Sequence, residues 1–114
     1  MPIKRYMFSQ LVSHLPKKEI SLIVGPRQAG KTTLMLQLQD YLKKKDQMTL
    51  FMSLDFESDT PYFNTQAALL DRIRLEFGKK KGYVFIDEIQ RKENAGIFLK
   101  GLYDMQTQYK FIVS

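Results

Sequence analysis

The octapeptide Gly25-Pro26-Arg27-Gln28-Ala29-Gly30-Lys31-Thr32 constrains this chain more than any other feature. It fits the pattern G-x-x-x-x-G-K-[ST] and sits as that pattern requires, after an apolar run from Ile20 to Val24 and before an amphipathic helical stretch. Gly25 and Gly30 let the backbone turn sharply and present consecutive N–H groups to phosphate oxygens, where a side chain would obstruct the approach. Lys31 offers a point charge to the β- and γ-phosphates. The Thr32 hydroxyl is placed to ligate a Mg²⁺ ion bridging those phosphates, and Thr33 adds a weaker contact to the α-phosphate. Pro26 stiffens the loop, Arg27 and Gln28 face solvent, and Ala29 leads into Gly30. The bland alternative is a Gly-rich turn joining two elements. A chance match in a chain this long arises in roughly one protein in several hundred, and one seated between strand and helix is rarer still, so the loop is expected to bind MgATP.

Short β-type runs alternate with helical patterns, which predicts a parallel sheet with crossover helices. The runs are Ile20 to Val24, Met48 to Phe56, Tyr83 to Ile86 and one that begins at Phe111, all apolar enough to be buried on both faces. Leu34, Leu38, Tyr41 and Leu42 form a helical stripe after the loop; Leu70, Ile73 and Phe77 form another before Gly78, and Ala95, Phe98, Leu99 and Leu102 a third. An earlier short helix carries Phe8, Leu11, Val12 and Leu15 and stops at Pro16. These stripes read as core. So does His14, which has no second ligand or acid partner nearby in sequence. The fourth strand is cut short at Ser114, so the chain is expected to be the N-terminal part of a longer protein.

The third run ends in Asp87-Glu88, placing two carboxylates at the C-terminal end of a buried strand, where open α/β sheets hold their ligands. This is a Walker B signature. Asp87 would hold Mg²⁺ through water, and Glu88 would polarise the water that attacks the γ-phosphate. Alone, such a strand end is a weak signal; about 55 residues downstream of a phosphate loop it is a strong one. Lys31 and Glu88 are thus the catalytic candidates, with Thr32 and Asp87 the metal-binding ones. Asp55, Glu57 and Asp59 follow the second strand and read as turn and capping carboxylates.

Composition sets the remaining bounds. The 114 residues with 44 % apolar and 26 % charged content suit one domain, and no run of about 18 apolar residues suggests a membrane span, so the expected location is cytoplasmic. No cysteine is present, which excludes disulfides and thiolate metal sites. The net charge of +6 favours polyanions, nucleotide or nucleic acid, without choosing between them. Lys43 to Lys45 and Lys79 to Lys81 follow helical patterns and read as helix-end charges.

The stretch Gly25 to Leu34, with Phe85-Ile86-Asp87-Glu88-Ile89-Gln90 and the trailing Lys110-Phe111-Ile112-Val113-Ser114, closely resembles AAA-type ATPases of bacteria and archaea, in particular the group often followed by a DUF4143 region. The resemblance spans nearly the whole chain. It implies an α/β, three-layer P-loop NTPase fold with a parallel sheet, truncated after the start of the fourth strand. The implied strand order is second, third, fourth, first, with a fifth beyond the first. It also implies ATP hydrolysis with Mg²⁺ driving conformational change, and in the full-length protein a homo-oligomer in which an arginine completes a neighbour's site. By analogy Ile3 and Tyr6 line the adenine pocket. The polar sensor side chain that follows the fourth strand is expected to be missing, and Arg72, Arg74 and Arg91 do not match the arginine's placement and read as solvated. The alternative function is a nucleotide-gated DNA-binding module with little turnover.

Overall fold

The computed structural model describes residues 5–23 and 30–114. Four helices and four strands alternate: α1 (Arg5–His14), β1 (Ser21–Leu22), α2 (Lys31–Lys44), β2 (Thr49–Ser53), α3 (Gln66–Phe77), β3 (Gly82–Asp87), α4 (Ala95–Asp104) and β4 (Tyr109–Val113). All strand pairs are parallel and the order across the sheet is β1-β4-β3-β2, as the resemblance implied.

The pleat divides the core into two layers. Phe85 and Ile112 point to the side covered by α1 and α2, where they meet Leu34, Met35, Leu38 and Leu42. Val84, Ile86, Phe111 and Val113 point the other way, onto Leu69, Leu70, Ile73 and Phe77 of α3 and Phe98 and Leu102 of α4. Successive strand residues face opposite sides, so each apolar run feeds both layers. This is the three-layer α/β architecture expected.

Local signals explain the element ends. Gly30 precedes α2 with φ +80°, a left-handed conformation open to glycine, and its carbonyl accepts the Leu34 N–H at 2.9 Å. Thr65 caps α3, its hydroxyl accepting the Ala68 N–H at 3.0 Å.

Three strand expectations need correction. The first strand is only Ser21–Leu22 among the described residues, where it pairs with β4, and Leu22 is 57 % exposed rather than buried on both faces; Val24 lies outside the described residues. The second stops at Ser53 and does not reach Phe56, since the Asp59 carboxylate takes the Ser53 N–H at 3.1 Å and turns the chain away. The fourth starts at Tyr109, earlier than Phe111, and is as long as β2. Lys110, inside the strand, is 7 % exposed; its ammonium donates to the Glu19 carbonyl and lies 3.3 Å from His14 Nδ1, which lets its stem lie in the strand.

Candidate functional site

Parallel pairing brings the C-terminal ends of β3 and β4 to one edge of the sheet, beside the N-terminus of α2. Asp87 closes β3, is 7 % exposed, and accepts hydrogen bonds from three donors. The Thr32 hydroxyl reaches Oδ2 at 2.8 Å, across 55 residues of sequence. The Ser114 hydroxyl reaches Oδ1 at 2.7 Å, and the Glu88 N–H reaches the same oxygen at 3.0 Å. A buried carboxylate needs such donors to stay charged, and these are the ones this edge offers.

Thr32 and Asp87, assigned to one metal from sequence, are therefore in contact. The pair is a hydroxyl and a carboxylate, hard oxygens suited to Mg²⁺, and the hydroxyl donates its proton to Asp87 Oδ2 at 2.8 Å, which leaves the Thr32 oxygen lone pairs for an ion and the carboxylate beside it for a water of that ion. Among the described residues no group of three or more His, Cys, Asp or Glu converges on a metal. The residues present thus fit Mg²⁺.

Glu88 leaves the strand in a left-handed conformation, φ +58° and ψ +43°, and its Oε1 accepts from Gln90 Nε2 at 2.7 Å. Lys31 opens α2 half-buried, with Thr33 exposed one residue after Thr32. Gly25, Pro26, Arg27, Gln28 and Ala29, the rest of the phosphate loop, lie outside the described residues, as does Ile3. A groove of about 710 Å³ starts at Thr33 and follows α2 past Leu36, Gln37 and Tyr41, with Phe8 of α1 on its other wall. Phe8 meets Tyr41 edge to face, ring centroids 5.7 Å apart.

Ser114 is the residue that sequence reasoning missed. Ser114 follows β4 directly, and the pairing of Ile86 with Val113 sets it level with Asp87. Aligning the ends of the third and fourth runs would have shown it. The arginines are each paired, Arg72 with Glu76, Arg74 with Asp71, and Arg91 with Asp55 at 2.5 Å, and Arg72 is half-buried against the Tyr62 ring. Asp59 and Asp55 are accordingly turn and surface-pair carboxylates. His14 does have partners, though none near it in sequence: Nδ1 lies 2.5 Å from Ser21 Oγ and 3.3 Å from Lys110 Nζ. That nitrogen faces two donors, which fits a neutral ring. Burial, then the Lys110 charge, lowers the His14 pKa, and burial pushes Lys110 down to about 8.

A parallel sheet layered between helices, with a Gly-led helix and a buried carboxylate at one edge, defines a P-loop NTPase-like fold. The chain belongs to the AAA domain family, whose model matches residues 17–114. Membership implies ATPase-type nucleotide binding. An uncharacterized protein of Methanocaldococcus jannaschii is 33 % identical over 92 residues, which cover 77 % of this chain and 20 % of that relative. The chain thus spans about a fifth of the curated relative's length. No solved structure matches at a significant level. No helix among the described residues is long and apolar enough to cross a membrane.

Proposed function

We propose that the chain binds MgATP and hydrolyses it, and that turnover drives a conformational change in a longer polypeptide. The observation that supports this most is the Thr32–Asp87 contact, which joins the two metal-binding candidates across 55 residues of sequence. On this reading the phosphate loop from Gly25 to Thr32 wraps the triphosphate, with Lys31 against the β- and γ-phosphates and Thr33 near the α-phosphate. Thr32 and Asp87 would hold Mg²⁺, Asp87 through water, and the ion would neutralise phosphate charge there. Glu88 orients and deprotonates the attacking water. The base enters the groove beside Thr33, against Phe8, Leu36 and Tyr41. The domain acts in the cytoplasm, within a protein carrying a DUF4143-type region, and copies complete one another's sites.

The net charge of +6 supports the second reading, a nucleotide-gated DNA-binding module. Against it, Lys44 pairs with Asp40 at 3.0 Å and Lys45 stacks on Tyr41, as helix-end charges do.

Calorimetric titration with ATP and a nonhydrolysable analogue, with and without Mg²⁺, tests the reading when paired with a phosphate-release assay. Lys31→Ala is expected to weaken binding by at least ~10-fold, and Glu88→Gln to preserve binding while abolishing hydrolysis. Equal loss of binding in both variants would overturn these roles.

A further inference from the structure

We infer that Gln90 is a positioning residue for the Glu88 carboxylate, an inference that rests on the role proposed for Glu88 above. The backbone of this turn is held at several points. The Glu88 N–H donates to Asp87 Oδ1 at 3.0 Å, the Ile89 N–H to the Ser114 carbonyl at 2.8 Å, and the Arg91 N–H to the Glu88 carbonyl at 3.1 Å. Ile89 is 6 % exposed and fills the core between α3 and α4, while the Arg91 guanidinium is paired with Asp55.

Four non-glycine residues among those described have positive φ: Asp46, Glu88, Asn94 and Gln106. Asp46, Asn94 and Gln106 lie beside the ends of α-helices, and Glu88 caps the short 3-10 turn Ile89–Arg91; Asp and Asn tolerate that region, Glu does so less readily. Glu88 alone follows a strand and adjoins the buried Asp87, so the surrounding bonds hold it in a conformation its side chain disfavours.

That conformation sets Glu88 and Gln90 on the same side of the anchored Ile89. The Gln90 amide donates to Glu88 Oε1 at 2.7 Å, the only hydrogen bond to that carboxylate among the described residues. One oxygen is held, and Oε2 is left to accept from water. A fixed backbone with a freely rotating carboxylate would lose the orientation that general-base chemistry needs. Gln90 supplies the missing constraint, and because it donates from a neutral amide it does so without competing as a second base.

The test compares Gln90→Ala, Gln90→Glu and Glu88→Gln in the full chain, reading phosphate release for kcat and KM and calorimetry for MgATP affinity. Gln90→Glu keeps the length but removes the donor. Both Gln90 variants are expected to lower kcat by about threefold to tenfold, the scale of one lost hydrogen bond to a carboxylate open to solvent, with KM and Kd within about twofold. Unchanged kcat in both, while Glu88→Gln is inactive, overturns the inference and leaves the Glu88 reading standing. Turnover that survives Glu88→Gln overturns both. If the chain shows no turnover, the Gln90 side-chain amide protons decide the matter by NMR: a shift on Glu88→Ala supports the inference, and no shift overturns it.

Discussion

Replacing Ser114 by alanine tests whether the end of β4 stabilises the carboxylate at the end of β3. The Ser114 hydroxyl donates to Asp87 Oδ1 at 2.7 Å, both residues are at most 7 % exposed, and no cation pairs with Asp87 among the described residues. A hydrogen bond to a charged group is worth ~1.5–3 kcal/mol, and its loss here leaves a buried anion with two donors instead of three. At this chain length one kcal/mol moves Tm by roughly 4 °C, so Ser114→Ala should lower Tm by about 6–12 °C. Urea unfolding followed by circular dichroism gives the free energy directly. Combining Ser114→Ala with Asp87→Asn in a double-mutant cycle isolates the pair, and a coupling of ~1–2 kcal/mol is expected because a neutral amide acceptor gains less from the hydroxyl. A cost below about 0.5 kcal/mol for Ser114→Ala, with coupling near zero, would refute the reasoning. The carboxylate would then be stabilised by Thr32 and the Glu88 amide alone.

Other consequences are equally open to measurement. A Cβ added at Gly82 would lie 2.3 Å from the Phe77 ring, so Gly82→Ala should cost ~1–3 kcal/mol in urea unfolding, and adding Phe77→Leu should recover part of it. Leu38 is fully buried between α2 and the sheet, and Leu38→Ala should cost about 3–5 kcal/mol by the same assay. Lys110 titrates near 8 in the folded chain against 10.5 unfolded, so the unfolded state binds more protons between those values and stability should rise from pH 8 to 10.5; Lys110→Met should flatten that slope. The His14 pKa is lowered too, so stability should fall as pH drops below 6.5, and His14→Gln should remove that loss.

The elements legible in the sequence were those written by neighbours along the chain. The stripes of α2, α3 and α4 and the apolar run of β3 each carry their own period, and they appear where the spacing placed them. The Thr32–Asp87 contact was legible because both residues belong to patterns with a fixed structural context. What stayed hidden depends on register between strands. Ser114 meets Asp87, and Lys110 meets His14, only once β4 is laid beside β3 and β1, so no local pattern announces either contact. The left-handed Glu88 was hidden for a related reason: its conformation is imposed by bonds to Asp87 and by the anchoring of Ile89 to Ser114, not by its own preference.

The position of β1 also bears on how the chain folds. Ser21 pairs with Ile112, so among the described residues β1 joins the sheet through β4, a strand made after β2 and β3. β2, β3 and β4 can zip together in order of synthesis, but β1 must wait until β4 has been made, and closing so long a loop is slow. Until then α2 has no finished floor beneath it, since Ile112 of β4 belongs to the layer that Leu34, Met35 and Leu38 cover. The helix that begins with Lys31 and Thr32 is therefore seated late, and a nascent chain acquires its sheet before it acquires the means to hold a nucleotide.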